Sequence, residues 1–136
     1  MAGGRGGRSF AAMTTTVPLP LRAAQALLGL LGAVVLFASI YFSVVAPPEP
    51  VDGLDWLVAA WAFATGAAAL AIAPRLARGG DTVRLAATAL VANHFVFGLV
   101  KLVAYGESAA VPFMAIDLAL LALLSARGIR SAHERT

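Results

Sequence analysis

Four stretches of the chain, each about 17 to 24 residues long, are almost free of charge, and this feature constrains the fold most. They cover residues 23–46, 56–73, 85–105 and 110–126. About 20 apolar residues in a helix suffice to cross a hydrocarbon core of about 30 Å. The stretches lack the alternation of β-strands, and a bilayer accepts only helices or closed barrels. The sequence therefore predicts an all-α integral membrane protein, a four-helix bundle with short loops.

Composition narrows the classes of function. With 60% hydrophobic and 12% charged residues, the 136-residue chain is too apolar for a soluble domain or for intrinsic disorder. The absence of cysteine excludes disulfides, thiolate metal sites and Fe–S clusters. Hydrolase, Walker, zinc-protease and dinucleotide motifs are absent. We therefore expect no enzyme activity, no catalytic residue, no metal and no cofactor. Haem is disfavoured because the second histidine, His133, lies in the tail.

The remaining segments flank or join the spans. Residues 1–20, rich in Gly, Arg, Thr and Pro, are expected to form a flexible leader, residues 21–127 the transmembrane domain, and residues 128–136 a tail. A cleaved signal peptide is the alternative interpretation of the first span. Its uncharged stretch is longer than the apolar region of a signal peptide, which has about 7–15 residues. This length favours a transmembrane helix that is retained in the mature protein.

The arginines predict the orientation in the membrane. All nine lie before the first span, between the second and third, or after the fourth, three in each group. The opposite loops carry acidic residues instead, so the positive-inside rule places both termini in the cytoplasm. The excess of Arg over Lys, with abundant Ala and Gly, is typical of a GC-rich bacterial genome and hence of its cytoplasmic membrane. The basic charge then suits anionic lipid, and no nucleic acid is expected, because no basic run is interleaved with aromatics.

Three ionisable residues lie within the spans, where such groups are functional candidates by default: His94, Lys101 and Asp117. His94 and Lys101 are seven residues apart and share one helix face. Counting inward from Tyr105 and Ala110 places Asp117 at a depth between them. Because side chains lean toward the N-terminus of their own helix, Lys101 and Asp117 converge, and we predict an ion pair between them. If Lys101 instead reaches the membrane surface, Asp117 needs another partner.

His94 is expected to lean the other way and to share a hydrogen bond with Thr65 of the second span. The predicted Lys101–Asp117 pair has two interpretations. It neutralises two costly charges and fixes the register of two helices, or it serves as a proton-linked or substrate-gated switch. Small residues on the first two helices predict close packing there. These are Gly29, Gly32, Ala33, Ala60, Ala64 and Ala68.

Resemblances to known families are short. The stretch His94–Leu102, HFVFGLVKL, resembles the Gly-x-x-Lys-Leu element of DoxX-like small membrane proteins over less than a tenth of the chain. Small multidrug transporters are similar in length and number of spans, but they carry a glutamate in the first helix, and this first span has no acid. Fluoride-channel and GtrA-like proteins are similar in size, but this chain lacks their glycine and asparagine motifs. None of these similarities assigns the chain to a family.

The sequence thus favours a membrane protein that acts by association, as an accessory or assembly subunit of a larger membrane complex. Its partners would be the lipid bilayer and another membrane subunit or further copies of itself. The alternative is a homodimeric proton-linked or small-solute transporter with Asp117, Lys101 and His94 along its path. An enzyme of lipid or quinone chemistry is the third possibility.

Overall fold

The computed structural model describes residues 17–46 and 52–126, and all regular structure in them is helical. Helix α1 covers Leu19–Ile40 and continues into a π-helical turn at Tyr41–Val45. Helix α2 covers Gly53–Ile72 and ends in a 3-10 turn at Ala73–Arg75. Helix α3 covers Gly80–Tyr105, and α4 covers Ala110–Ser125. The predicted all-α fold with four helices is confirmed. The predicted tail and most of the predicted leader lie outside the described residues.

Two helices begin earlier than the uncharged stretches do. Helix α1 begins at Leu19 because Pro20 lies in the first turn, where the missing N–H of proline has no helical partner to lose. Helix α3 begins at Gly80, so the second connection is shorter than the sequence suggests. Helix α2 begins with a capping box, in which the side chains of Asp52 and Asp55 each accept a backbone N–H of the other residue.

Three helical segments are long and apolar enough to cross a membrane, namely Leu19–Val45, Gly53–Arg75 and Gly80–Tyr105. Helix α4 has 16 residues and is shorter than these. Large apolar side chains cover the outside of the bundle, including Phe37 at 69% exposure and Val103 at 77%. An outer surface of this kind is expected where lipid replaces water as the surrounding solvent. The described fold is therefore compatible with a small membrane protein.

The four helices form a ring in which α1 contacts α2 and α4, and α3 contacts α2 and α4. The backbones of α1 and α2 touch at Gly66, where an added Cβ would lie 2.7 Å from the backbone nitrogen of Leu36 and 2.9 Å from the carbonyl oxygen of Gly32. The predicted small-residue packing therefore holds for Gly32. Ala33, Ala60 and Ala64, in contrast, are exposed, and Gly66 and Ala69 are the residues of α2 that pack against Gly32.

We name the two ends of the bundle by their charges. The arginine end contains the start of α1 and the connection from α2 to α3, with Arg22, Arg75, Arg78 and Arg84. The acidic end contains the start of α2 and the turn from α3 to α4, with Asp52, Asp55 and Glu107. At the arginine end, the Arg84 guanidinium donates to the Leu124 carbonyl and joins α3 to α4. The largest fully buried apolar side chains lie toward this end: Leu28, Leu76, Val91, Leu120 and Leu124. Polar groups are buried further along the bundle.

Candidate functional site: a buried histidine–aspartate pair

Asp117 is the centre of the site. It lies on the inward face of α4, which also buries Ala110, Leu120 and Leu124 at helical spacing, and its exposure is 0%. The carboxyl oxygen Oδ2 lies 2.7 Å from Nδ1 of His94 on α3. At this distance one proton lies between the two atoms, on the imidazole or on the carboxyl group. The structure therefore joins two of the residues singled out in the sequence.

The predicted ion pair between Lys101 and Asp117 is wrong, and the axial offset of two helices explains why. The prediction treated the end of α3 and the start of α4 as level. In the structure, Gly98 opposes Met114, since an added Cβ on Gly98 would lie 2.9 Å from Cγ of that methionine. By the same register, Asp117 opposes His94, and α4 starts about 4.5 Å deeper than α3 ends. Lys101 is then roughly 10 Å away along the axis.

Lys101 pairs with Glu107 in the turn between α3 and α4, with its Nζ 2.7 Å from Oε2 of the carboxylate. The turn brings this glutamate back because Gly106 adopts the left-handed conformation (φ 65°) that closes helices, and the Glu107 N–H bonds the Lys101 carbonyl. The side chains are 33% and 42% exposed, so this pair marks the acidic end of the bundle. A glycine directly after a long apolar run was the sequence signal for this turn.

The predicted hydrogen bond between His94 and Thr65 is also replaced, because the histidine ring turns toward Asp117. Thr65 is buried, and it lines the same narrow gap between α1, α2 and α3 as His94 does. The other walls of the gap are apolar, formed by residues such as Leu31 and Leu90, and it is too narrow for a water-sized sphere. Thr65 is therefore a neighbour of the pair rather than a member of it.

Aromatic rings hold the histidine on its remaining sides. The indole of Trp61 on α2 stacks on the His94 ring with centroids 6.0 Å apart and planes inclined by 8°. Phe113 on α4 meets the same ring edge-on at 6.4 Å, and Phe97 packs on Trp61 at 4.0 Å. Sequence reasoning missed these three residues. Their spacing gave no signal, because other aromatic side chains of the apolar helices, such as Phe37 and Phe63, face outward.

The second oxygen of Asp117, Oδ1, is buried and has no hydrogen-bond partner in the described part of the chain. An ionised carboxyl group can accept hydrogen bonds on both oxygens, and a buried polar atom without a partner is costly. Such an atom calls for an explanation in a native site, and one explanation is a functional role. Oδ1 is therefore the atom of the site with unused capacity to bind a proton or a donor group.

Metal binding has no support in the part of the chain that the structure describes, where no three His, Asp or Glu side chains come together. The site supplies one imidazole and one carboxyl group, enclosed by aromatic and aliphatic side chains. What this arrangement can do chemically is hold a proton between two groups and exchange it.

Comparison with known proteins gives no relationship: no family model, no curated protein and no solved structure matches the chain. The function must therefore be argued from the helices and from the site itself.

Proposed function

We propose that the protein is a small non-enzymatic membrane protein that takes up and releases a proton at the His94–Asp117 pair and so works in proton-linked transport of a small solute. One observation carries the proposal. A fully buried carboxyl group bonds to an imidazole through one oxygen, and the other oxygen has no partner among the residues that the structure describes. Buried pairs that serve packing alone are expected to have all their hydrogen-bonding capacity satisfied.

The residue types support the same conclusion. Histidine is the side chain that most often changes its charge between pH 5 and 8, and chains of Asp and His form the proton relays of membrane pumps and transporters. His94 also bridges the helices, since its ring contacts Trp61 of α2 while its Nδ1 bonds to Asp117 of α4. A change of charge at the pair therefore acts on three helices at once.

The arginine distribution supports cytoplasmic positions for both termini, and the excess of Arg over Lys with abundant Ala and Gly supports a bacterial cytoplasmic membrane. In that orientation the acidic end faces outward. A proton from outside would pass the Lys101–Glu107 pair first and then the Met114 side chain that covers Gly98, before it reaches Asp117. Met114 is flexible and can move aside without displacing the backbone.

Infrared difference spectroscopy on the full-length chain in lipid tests the proton-binding step. Acidification should produce the C=O stretching band of a buried carboxylic acid, and Asp117→Asn should remove that band. Asp81→Asn is the matched control, because it makes the same change at an exposed carboxylate that pairs with Arg84. If the band is absent from the unmodified chain, or if Asp117→Asn retains it, the proposal fails.

Transport itself is tested in liposomes that contain a pH-sensitive dye. Solutes are added in groups to liposomes with the purified chain, and the internal pH is followed. We expect at least one group to change the internal pH with the unmodified chain and with Asp81→Asn, but not with Asp117→Asn. A pH change that persists in Asp117→Asn would contradict transport through this site.

A second candidate function is the accessory or assembly subunit, and the distribution of empty space favours it. Among the described residues, the interior gap beside His94 does not admit a water-sized sphere. A hollow of about 330 Å³ lies instead on the outside of α1 and α2 near the acidic end, as an open groove lined by Ser43, Ala60 and Phe63 among others. A partner that docks outside the bundle needs such a surface, whereas a transported solute needs room inside.

Extraction in mild detergent followed by mass determination separates the two candidates. A different membrane protein that copurifies in fixed proportion would support the accessory role. If only this chain is recovered after extraction from its native membrane, the accessory role fails and transport is favoured.

A further inference from the structure

One face of α3 points away from the bundle, and its exposed residues follow a regular pattern. Steps of four and three residues alternate along this face over the whole helix. Its members are Thr82, Ala86, Ala89, Asn93, Val96, Val100 and Val103, all exposed. We call this set the α3 outer stripe. Alternation of this kind is the heptad spacing by which two parallel helices pack along each other.

Asn93 lies at the centre of the stripe and is the single asparagine of the sequence. It is exposed, and its side-chain amide makes no hydrogen bond to any residue that the structure describes. It lies about 18–20 Å from each end of α3, so a bilayer spanned by this helix places Asn93 near the hydrocarbon centre. Its neighbours on the stripe are apolar, with Val96 57% and Val100 49% exposed. An unpaired amide at this depth costs several kcal/mol, roughly, against lipid tails, which offer it no partner.

We propose that the α3 outer stripe binds the same stripe of a second copy of this chain, with the two Asn93 amides hydrogen-bonded to each other. An amide carries both a donor and an acceptor, so two identical amides related by a two-fold axis satisfy each other. In the heptad pattern Asn93 occupies an a position, where a single asparagine fixes the register of a helix pair. Copies that insert with one topology are parallel, so residue 93 of each meets residue 93 of the other.

The rest of the stripe fits the same partner. Toward the arginine end it has the small residues Ala86 and Ala89, which allow two backbones to approach closely. Toward the acidic end it has Val96, Val100 and Val103, whose β-branched side chains lose little freedom when they pack. A different protein would need a polar group at the same depth as Asn93, whereas a second copy supplies that group by symmetry.

Cysteine cross-linking tests the surface, and the absence of native cysteine makes each introduced thiol unique. Ala89→Cys and Val96→Cys place thiols on the stripe. Leu118→Cys is the matched control, because Leu118 is 55% exposed on α4 and lies at the level of Asn93. The purified full-length variants are oxidised in lipid bilayers at low protein density. We expect the two stripe variants to form disulfide-linked dimers at least fivefold faster than the control. Equal rates, or no dimer from the stripe variants, would overturn the proposal.

The amide pair is tested in the Val96→Cys background. Asn93→Leu should weaken dimerisation about tenfold, as expected for loss of one or two interhelical hydrogen bonds in a membrane. Asn93→Gln keeps a donor and an acceptor and should retain part of the affinity. Leu118→Asn, which adds an amide at the same depth on α4, should not restore it. Unchanged dimerisation of Asn93→Leu would contradict the pairing of the amides.

Cross-linking in native membranes addresses the identity of the partner. The Val96→Cys product should have twice the mass of this chain and contain no other sequence. A product with a different protein would overturn the choice of a second copy. Adding Asp117→Asn to the Val96→Cys variant should leave its cross-linking unchanged. His94, the partner of Asp117, lies on the inward face of α3, away from the stripe.

Discussion

Removing His94 alone should destabilise the bundle more than removing His94 and Asp117 together. Asp117 is fully buried, and within residues 17–46 and 52–126 its Oδ1 has no hydrogen-bond partner and its Oδ2 bonds to Nδ1 of His94 alone. His94→Leu therefore leaves both oxygens unpaired and should cost about 3–5 kcal/mol. Asp117→Val leaves an imidazole that is 10% exposed and should cost about 1–3 kcal/mol. The double variant leaves neither group and should lie within about 1 kcal/mol of the unmodified chain.

These values give a coupling energy of at least about 3 kcal/mol between the two positions. Ordinary interhelical hydrogen bonds in membranes reach only about 1.7 kcal/mol. The double-mutant cycle therefore distinguishes a buried carboxyl group that depends on His94 from an ordinary hydrogen bond. The free energies of unfolding are measured by titration with SDS in mixed micelles, with circular dichroism as the signal. A coupling below about 1.7 kcal/mol would refute the argument that Asp117 depends on His94 alone.

The same titration checks three further predictions. Gly66→Ala should cost about 1–3 kcal/mol because its new methyl group meets the backbone of α1. The control Gly53→Ala, whose methyl group meets nothing within 4 Å, should change stability by less than about 0.5 kcal/mol. Equal costs would contradict the close approach of α1 and α2. Gly98→Ala should cost less than Gly66→Ala, since it meets a flexible methionine side chain. Lys101→Ala or Glu107→Gln should each cost under about 1 kcal/mol, and less still in about 1 M salt, because the pair is partly exposed. A larger cost would mean that the pair is less accessible to water than the structure shows.

The helices could be predicted from the sequence because each uncharged stretch is bounded by residues that act locally. Pro47 and Pro48 follow the first span, Gly79 precedes α3, and Gly106 follows its last residue. Such residues disfavour the continuation of a helix whatever lies around them. The number and type of elements therefore depend on short-range interactions that a sequence displays directly.

The pairing at the site could not be predicted in the same way, because it depends on how far two helices slide along each other. His94 and Lys101 share one face of α3, so either could meet a carboxyl group on α4, and only the axial offset decides between them. The fold-back of Glu107 onto the Lys101 carbonyl sets that offset. An error of three residues in the assumed level of two helix ends was enough to select the wrong partner for Asp117.

Two adjacent residues of α3, Asn93 and His94, are polar side chains in an apolar helix, and they differ in where a hydrogen-bond partner is found. His94 faces inward and finds its partner within the chain, in Asp117. Asn93 faces outward, at almost the same depth, and the described chain offers its side chain no partner. A helix that only anchored the protein would need neither residue, since leucine at both positions would insert more readily. This difference is the basis of both proposals: proton exchange at the inward His94–Asp117 pair, and association with a second copy at the outward Asn93, which has no partner among the described residues.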